Sequence, residues 1–176
     1  MIQILEDSQD LQGKIDCYSD MLFKIAFMRL QNVQDAEDVV QEVFYQYIKR
    51  EERFESDEHE KAWLIKVTLN ACRKVWRSAW NRHRDGGDED VNTYSEGVQQ
   101  GLEEGILSVE SNRILLAAVK ELPAKYRDVI HLFYYEEMSI KEIGEVTGRK
   151  ESTVTSQLTR ARELLKRRLK EEYDFA

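Results

Sequence analysis

Residues 139–165 read SIKEIGEVTGRKESTVTSQLTRARELL, and their spacing predicts two helices joined by a tight turn. Ser139 and Glu142 stand three apart, the spacing at which a hydroxyl and a carboxylate can satisfy the first free amides of a helix reciprocally. The short helix they open carries Ile140, Ile143 and Val146 on one face. Gly148 supplies the turn, and a long helix is expected from about Glu151 to Glu171. On that helix Val154, Leu158, Ala161 and Leu165 form an inward stripe, while Ser152, Thr155, Ser156, Thr159 and Arg160 face out together. A short capped helix, a glycine turn and a longer helix with a polar front make a helix-turn-helix pattern. Hydroxyls and a guanidinium on that front suit hydrogen bonding in a DNA major groove. Arg162, Lys166, Arg167, Arg168 and Lys170 add positive charge toward the C-terminal end. The plainer alternative is a helical hairpin with a solvated front. Lys150 is a poor N-cap, and Glu151 puts a negative charge near the outward end.

Outward from this stretch the chain stays helical. A helix near Ser108–Glu121 precedes Pro123, which suits the first turn of the next helix, with Tyr126, Val129, Ile130 and Phe133 directed inward. At the other end of the chain, Tyr18, Met21, Leu22, Ile25, Ala26 and Leu30 follow helical spacing, and after a break at 31–34 so do Ala36, Val39, Val40, Val43, Phe44, Tyr47 and Ile48. RFESDEHE at 53–60 reads as a polar loop, and Trp63, Leu64, Val67, Ala71, Val75 and Ala79 give a third helix. Between the two groups, residues 85–110 hold eight acidic residues, no basic one and more than half of the chain's eight glycines, which predicts a linker. The expected fold class is all-α: two small helical domains, an N-terminal bundle and a C-terminal helix-turn-helix domain, joined by an acidic linker.

Composition narrows the function. One proline and eight glycines in 176 residues favour helices, and no apolar run approaches the roughly 20 residues that span a bilayer. The mixed, acidic start MIQILEDSQD is no signal peptide, so a soluble, cytoplasmic protein without membrane insertion is expected. Cys17 and Cys72 lie among apolar neighbours and read as buried free thiols. His59, His83 and His131 have no metal-ligand spacing, so neither metal nor cofactor is expected. An enzyme on a helical bundle would need a nucleophile–base set, a glycine-rich phosphate loop or a metal spacing, none of which stands out; no catalytic residues are assigned.

The charge distribution is more telling. Residues 61–84, KAWLIKVTLNACRKVWRSAWNRHR, contain seven Lys or Arg, three Trp and no acid, in a chain of net charge −8. Lys66, Asn70, Lys74 and Arg77 recur at i, i+4, i+8 and i+11 and share a helix face, with Arg73 beside them. Lys and Arg hold phosphates, Asn pairs with base edges, and Trp76 and Trp80 offer flat faces on which unpaired bases stack. The alternative is a solvated basic helix, and Trp63 reads as a packing residue. One surface for duplex and another for unpaired strand fit a protein that recognises DNA and helps to open it. A conventional DNA-binding regulator of the response-regulator output type would need only the second unit.

With these residues in hand, residues 12–172 resemble the extracytoplasmic-function (ECF) group of bacterial sigma factors. DAEDVVQEVF at 35–44 resembles the family's core-polymerase-binding motif. Trp63-Leu64 with Val67, Asn70 and Arg77 is similar to its promoter-melting helix, and 122–165, with Thr153-Val154 and Arg160-Ala161-Arg162, to its helix-turn-helix. The resemblance implies a non-catalytic subunit whose partners are core RNA polymerase and promoter DNA; an anti-sigma factor is a further partner that it admits. Residues 1–84 would bind polymerase and read the −10 element, 85–107 would be the flexible linker, and 108–176 would read the −35 element. Asp35, Asp38, Gln41, Glu42 and Phe44 would meet the polymerase. Lys66, Asn70, Arg73, Lys74 and Arg77, with the loop at 54–60, would hold the unpaired −10 strand, a key base of which is flipped out. Ser152, Thr155, Ser156, Thr159, Arg160 and Arg162 would read the −35 duplex. The 35–44 motif and the basic-aromatic helix are what a conventional regulator has no use for.

Overall fold

A computed structural model describes residues 2–85 and 110–174. Every regular element among them is helical: α1 (Ile2–Leu30), α2 (Val33–Lys49), α3 (Asp57–Asp85), α4 (Glu110–Lys120), α5 (Ala124–Ile130) running into a π-helical turn (His131–Tyr135), α6 (Ile140–Thr147) and α7 (Glu151–Asp174). The acidic linker expected at 85–107 lies, from residue 86 onward, outside the described residues. No helix among them is long and apolar enough to cross a membrane.

The N-terminal unit is a three-helix bundle. Gln31 takes a left-handed conformation (φ 54°) that ends α1, and the Asn32 side chain then accepts from the Asp35 amide at 2.8 Å to start α2. Leu22, Ala26 and Phe27 of α1 pack with Ala36, Val39, Val43 and Phe44 of α2 and with Leu64, Ala71 and Cys72 of α3. Burial pushes the Cys72 thiol up to about 12, which keeps it an inert packing group. Cys17, expected to be buried too, is exposed on α1. Ile48 departs as well: it is 58 % exposed, on the outer side of α2. The loop expected at 53–60 is shorter, because Asp57–Glu60 form the first turn of α3, where carboxylates complement the helix dipole.

In the C-terminal unit the capping box is present: the Glu142 amide donates to Ser139 Oγ at 3.1 Å and the Ser139 amide to Glu142 Oε2 at 2.7 Å. Gly148 sits at φ 70° as the C-cap of α6. Val154, Leu158 and Ala161 are buried on the predicted stripe, against Val119, Leu122, Val129, Ile143 and Val146. Pro123 lies one position before α5, at its N-cap. The π turn also changes the expected inward set. Its extra residue per turn rotates the side chains, so Leu132 is buried, while Phe133 is half-buried under the Arg162 guanidinium, 5.5 Å from its ring centroid.

Gly144 is required for a different reason from Gly148. A Cβ there would stand 2.9 Å from the Arg149 carbonyl oxygen, where the turn folds back and the Arg149 amide bonds Gly144 O at 3.1 Å. Gly144→Ala should therefore spread the turn and cost about 1–3 kcal/mol despite alanine's better helix propensity. Urea denaturation checks this; a midpoint equal to or above wild type would contradict it.

Candidate nucleic-acid interface

The outward face of α7 is placed as its spacing predicts. Ser152, Thr155, Ser156, Thr159 and Arg160 are all exposed, and Ser152, Ser156 and Arg160 line an open depression with Tyr126 and Gln157. Thr155 Oγ1 donates to Glu151 O at 3.0 Å, and Ser156 Oγ to Ser152 O at 2.9 Å. With their protons turned back onto the helix, both hydroxyls present acceptor lone pairs outward, the complement of adenine and cytosine amino groups. Among the described residues Arg160 makes only an exposed i,i+3 pair with Glu163 (3.2 Å), which a phosphate or guanine edge can displace at little cost. Arg162 is held differently: its Nε donates to Tyr134 Oη at 2.7 Å and its guanidinium lies over the Phe133 and Tyr134 rings, at the side of the reading face. The Lys150 carbonyl accepts from the Val154 amide, so Lys150 is the N-cap, and its side chain has no oxygen to cap the next amides.

On α3, Lys66, Asn70, Lys74 and Arg77 are exposed along one face, and Trp80 (71 % exposed) and Trp76 also stand in solvent. Trp63 packs instead, beside Tyr47 and Phe54, as its reading predicts. Arg73 is brought to the same side but is not free: it donates to Asn70 Oδ1 at 2.9 Å and to the Thr147 carbonyl of α6 at 3.0 Å. Burial, with Arg29 and Arg149 nearby, lowers its pKa from the usual arginine value. Asn70, its oxygen occupied, keeps its amide nitrogen as a donor.

The 35–44 segment divides in two. Asp38, Gln41 and Glu42 are exposed on α2, and Asp35 is half-buried at its first turn. Phe44 does not stand on that surface: it is 8 % exposed and points into the bundle, because it falls on the Ala36–Val43 stripe. In its place α2 exposes Tyr45 and Ile48, with Lys49 Nζ 4.3 Å from the Tyr45 ring centroid. An acidic rim around large exposed apolar groups is a protein-docking composition.

Sequence reasoning missed two networks, both made across long sequence separations. Glu60, 4 % exposed, accepts from Lys14 Nζ (2.7 Å), Tyr18 Oη (3.2 Å) and Tyr47 Oη (2.6 Å), tying together all three helices of the bundle. Burial alone would raise its pKa; the bonds from Lys14, Tyr47 and Tyr18 outweigh that and hold it below the usual glutamate value. Beside it Phe54 sits between Tyr47 and Trp63, with Arg50 over the Phe54 and Trp63 rings, which fixes the path from α2 to α3. The second network joins Arg29, Asp128 and Arg149.

Residues 15–82 match Sigma-70 region 2, and residues 112–165 match Sigma-70 region 4. The chain is 30 % identical over 176 residues to the ECF RNA polymerase sigma factor SigW of Bacillus subtilis, covering 96 % of this chain and 94 % of the relative. It is 27 % identical to RNA polymerase sigma factor SigV of the same organism, covering 90 % and 92 %. Among solved structures, the sigma factor RpoE of Bartonella quintana, in complex with the anti-sigma factor NepR, superimposes with a TM-score of 0.70 at 20 % identity, over 92 % of this chain and 98 % of that one. CnrH, in complex with the cytosolic domain of CnrY, gives 0.63 at 21 % identity, over 93 % and 90 %. At such identities the likeness is one of fold, and it covers both helical domains. The protein directs promoter-specific transcription rather than catalysing a reaction. The chain belongs to the ECF family of RNA polymerase sigma factors.

Proposed function

We propose that the protein docks on core RNA polymerase through the outer face of α2, reads the −35 element as duplex with α7 and holds the −10 element as unpaired strand with α3. The observation that carries this reading is the exposure of Trp76 and Trp80 on a cationic helix, one face of which carries Lys66, Asn70, Lys74 and Arg77. A groove-reading helix has no use for two exposed indoles, whereas unpaired bases stack on them. Arg73 joins that set once released from Thr147. Asp35, Asp38, Gln41 and Glu42, together with Tyr45 and Ile48, form the polymerase-facing surface; Phe44 supports it from the core. Ser152, Thr155, Ser156, Thr159 and Arg160 meet base edges and phosphates, with Arg162 at the margin.

In this reading residues 1–84 and 108–176 are the two working domains, and 85–107 is the acidic connection between them. The protein works where RNA polymerase is, in the cytoplasm. RpoE has an anti-sigma partner, NepR, in its solved structure, and a partner of that kind is proposed for this chain too.

Arg160 provides the test. In a holoenzyme assembled with core polymerase, Arg160→Ala should weaken binding to a cognate −35 duplex by about 1–3 kcal/mol, roughly 5- to 150-fold. Anisotropy titration of labelled duplex measures it, and an unchanged affinity would remove Arg160 from the reading set.

A further inference from the structure

Gln157 lies on the reading side of α7 but belongs neither to its buried stripe nor to its exposed front. It is half-buried, one turn after Thr153 and three residues before Arg160, and it lines the open depression with Tyr126, Ser152, Thr153, Ser156 and Arg160. Its side chain is held from behind. Arg149 Nη1 donates to Gln157 Oε1 at 3.0 Å. A guanidinium has only hydrogens to offer, so the amide atom that faces it is the oxygen, and chemistry fixes which way the amide points.

Arg149 is itself anchored. The same Nη1 donates to the Lys125 carbonyl at 3.1 Å, and Nη2 donates at 2.9 Å to Asp128 Oδ2, on a side chain only 4 % exposed. Acceptors from α5 and α7 thus occupy the guanidinium, which is set into the domain rather than offered to a phosphate. All four residues belong to the C-terminal unit, so this chain of bonds needs nothing from the N-terminal bundle.

A free glutamine reads adenine, because its oxygen accepts from N6 while its nitrogen donates to N7. Gln157 has its oxygen turned inward to Arg149, and its NH2 group is what faces the depression. Two N–H donors match the O6 and N7 acceptors of guanine or the O4 of thymine. Cytosine offers a donor there, and adenine sets its N6 donor beside N7. Holding the amide also removes rotamer freedom before DNA arrives, so the contact costs less ordering. Ser156, next to it, has the opposite sign, since its proton is committed to Ser152 O.

We infer that Gln157 reads one position of the −35 element for a keto base, guanine or thymine. Arg149, which touches no DNA, is the positioning residue that sets this preference. The inference rests on the −35 reading of α7 proposed above and adds to it a residue and a base class.

Holoenzyme reconstituted with core polymerase is used to select from a pool of random-sequence duplexes, and sequencing the bound fraction gives the base preference at each position. The wild-type −35 motif should contain a position at which guanine or thymine is preferred over adenine and cytosine by at least about 5-fold. Gln157→Glu keeps the side-chain shape and the bond from Arg149 but replaces the donor by an acceptor. Whatever overall affinity the added negative charge removes, preference at that one position should turn to an amino base, cytosine or adenine. Arg149→Met frees the amide, and preference there should move toward adenine; Asp128 keeps Arg29 as a partner in this variant. A merely structural defect weakens binding at all positions together and does not exchange the base at one. Base preferences unchanged at every position in either folded variant overturn the inference and leave the −35 reading standing. Should Arg149→Met fail to fold, Gln157→Glu decides alone. A wild-type holoenzyme that enriches no upstream motif overturns both.

Discussion

Glu60→Ala is expected to lower the stability of the protein by about 3–5 kcal/mol, the range for removing one partner of a buried charged network. The alanine would leave the Lys14 ammonium and the Tyr18 and Tyr47 hydroxyls without their common acceptor. Lys14 can turn to water, being over a quarter exposed, which places the loss toward the lower end; Tyr47, wedged beside Phe54 and Trp63, cannot. Against a usual domain stability of about 5–15 kcal/mol this is a large fraction. Glu60→Gln should fall between the two, since it keeps an acceptor for Tyr47 but turns an amide donor toward Lys14.

The same network has a pH signature. The folded-state pKa of Glu60 lies below its ordinary value, so its contribution is fully present above about pH 4.3 and is lost as pH falls through the lower folded value. Urea midpoints measured from neutral pH down into that range should fall steeply for the wild type and less steeply for Glu60→Ala. Identical slopes would mean that Glu60 carries no such linkage.

The second large effect lies in the other domain. Leu158 is 1 % exposed at the centre of the α7 stripe, one turn from Thr155 and two positions from Arg160. Leu158→Ala should cost about 2–5 kcal/mol through lost burial and the cavity left behind. No DNA-facing atom changes, yet −35 binding should fall, because the reading face is only as ordered as the stripe that seats it. Leu158→Met, which nearly conserves volume, should cost less than about 1.5 kcal/mol and restore binding. Chemical denaturation and duplex titration of both variants test this; a wild-type midpoint for Leu158→Ala would contradict the packing described.

The local features of this fold were legible because they are written in short spacings. Ser139 and Glu142 announce a helix start, Gly148 a turn, and Val154, Leu158 and Ala161 a buried face; each involves residues that are neighbours along the chain. The polar fronts of α7 and α3 followed as the complements of those faces. What was hidden depends on contacts between distant residues. Glu60 read as part of a polar loop because its partners are 13, 42 and 46 residues away. Arg73 read as a free cation because nothing near it in sequence reveals Thr147, 74 residues on. Arg29 and Asp128, 99 residues apart, carry no local signal at all. Phe44 was misplaced for a different reason: it belongs both to an acidic motif and to a helical stripe, and the stripe decides where a phenyl ring goes. The π turn at His131–Tyr135 has no sequence marker, and it alone moves Leu132 inside and Phe133 toward the edge.

The most direct measurement of the central claim is reconstitution with core RNA polymerase on fragmented genomic DNA, followed by sequencing of transcript 5′ ends. The account predicts co-purification with the core enzyme and initiation at a discrete set of starts, each preceded by the same pair of upstream sequence elements. Failure to associate with core polymerase, or start sites no different from those of core enzyme alone, would contradict it.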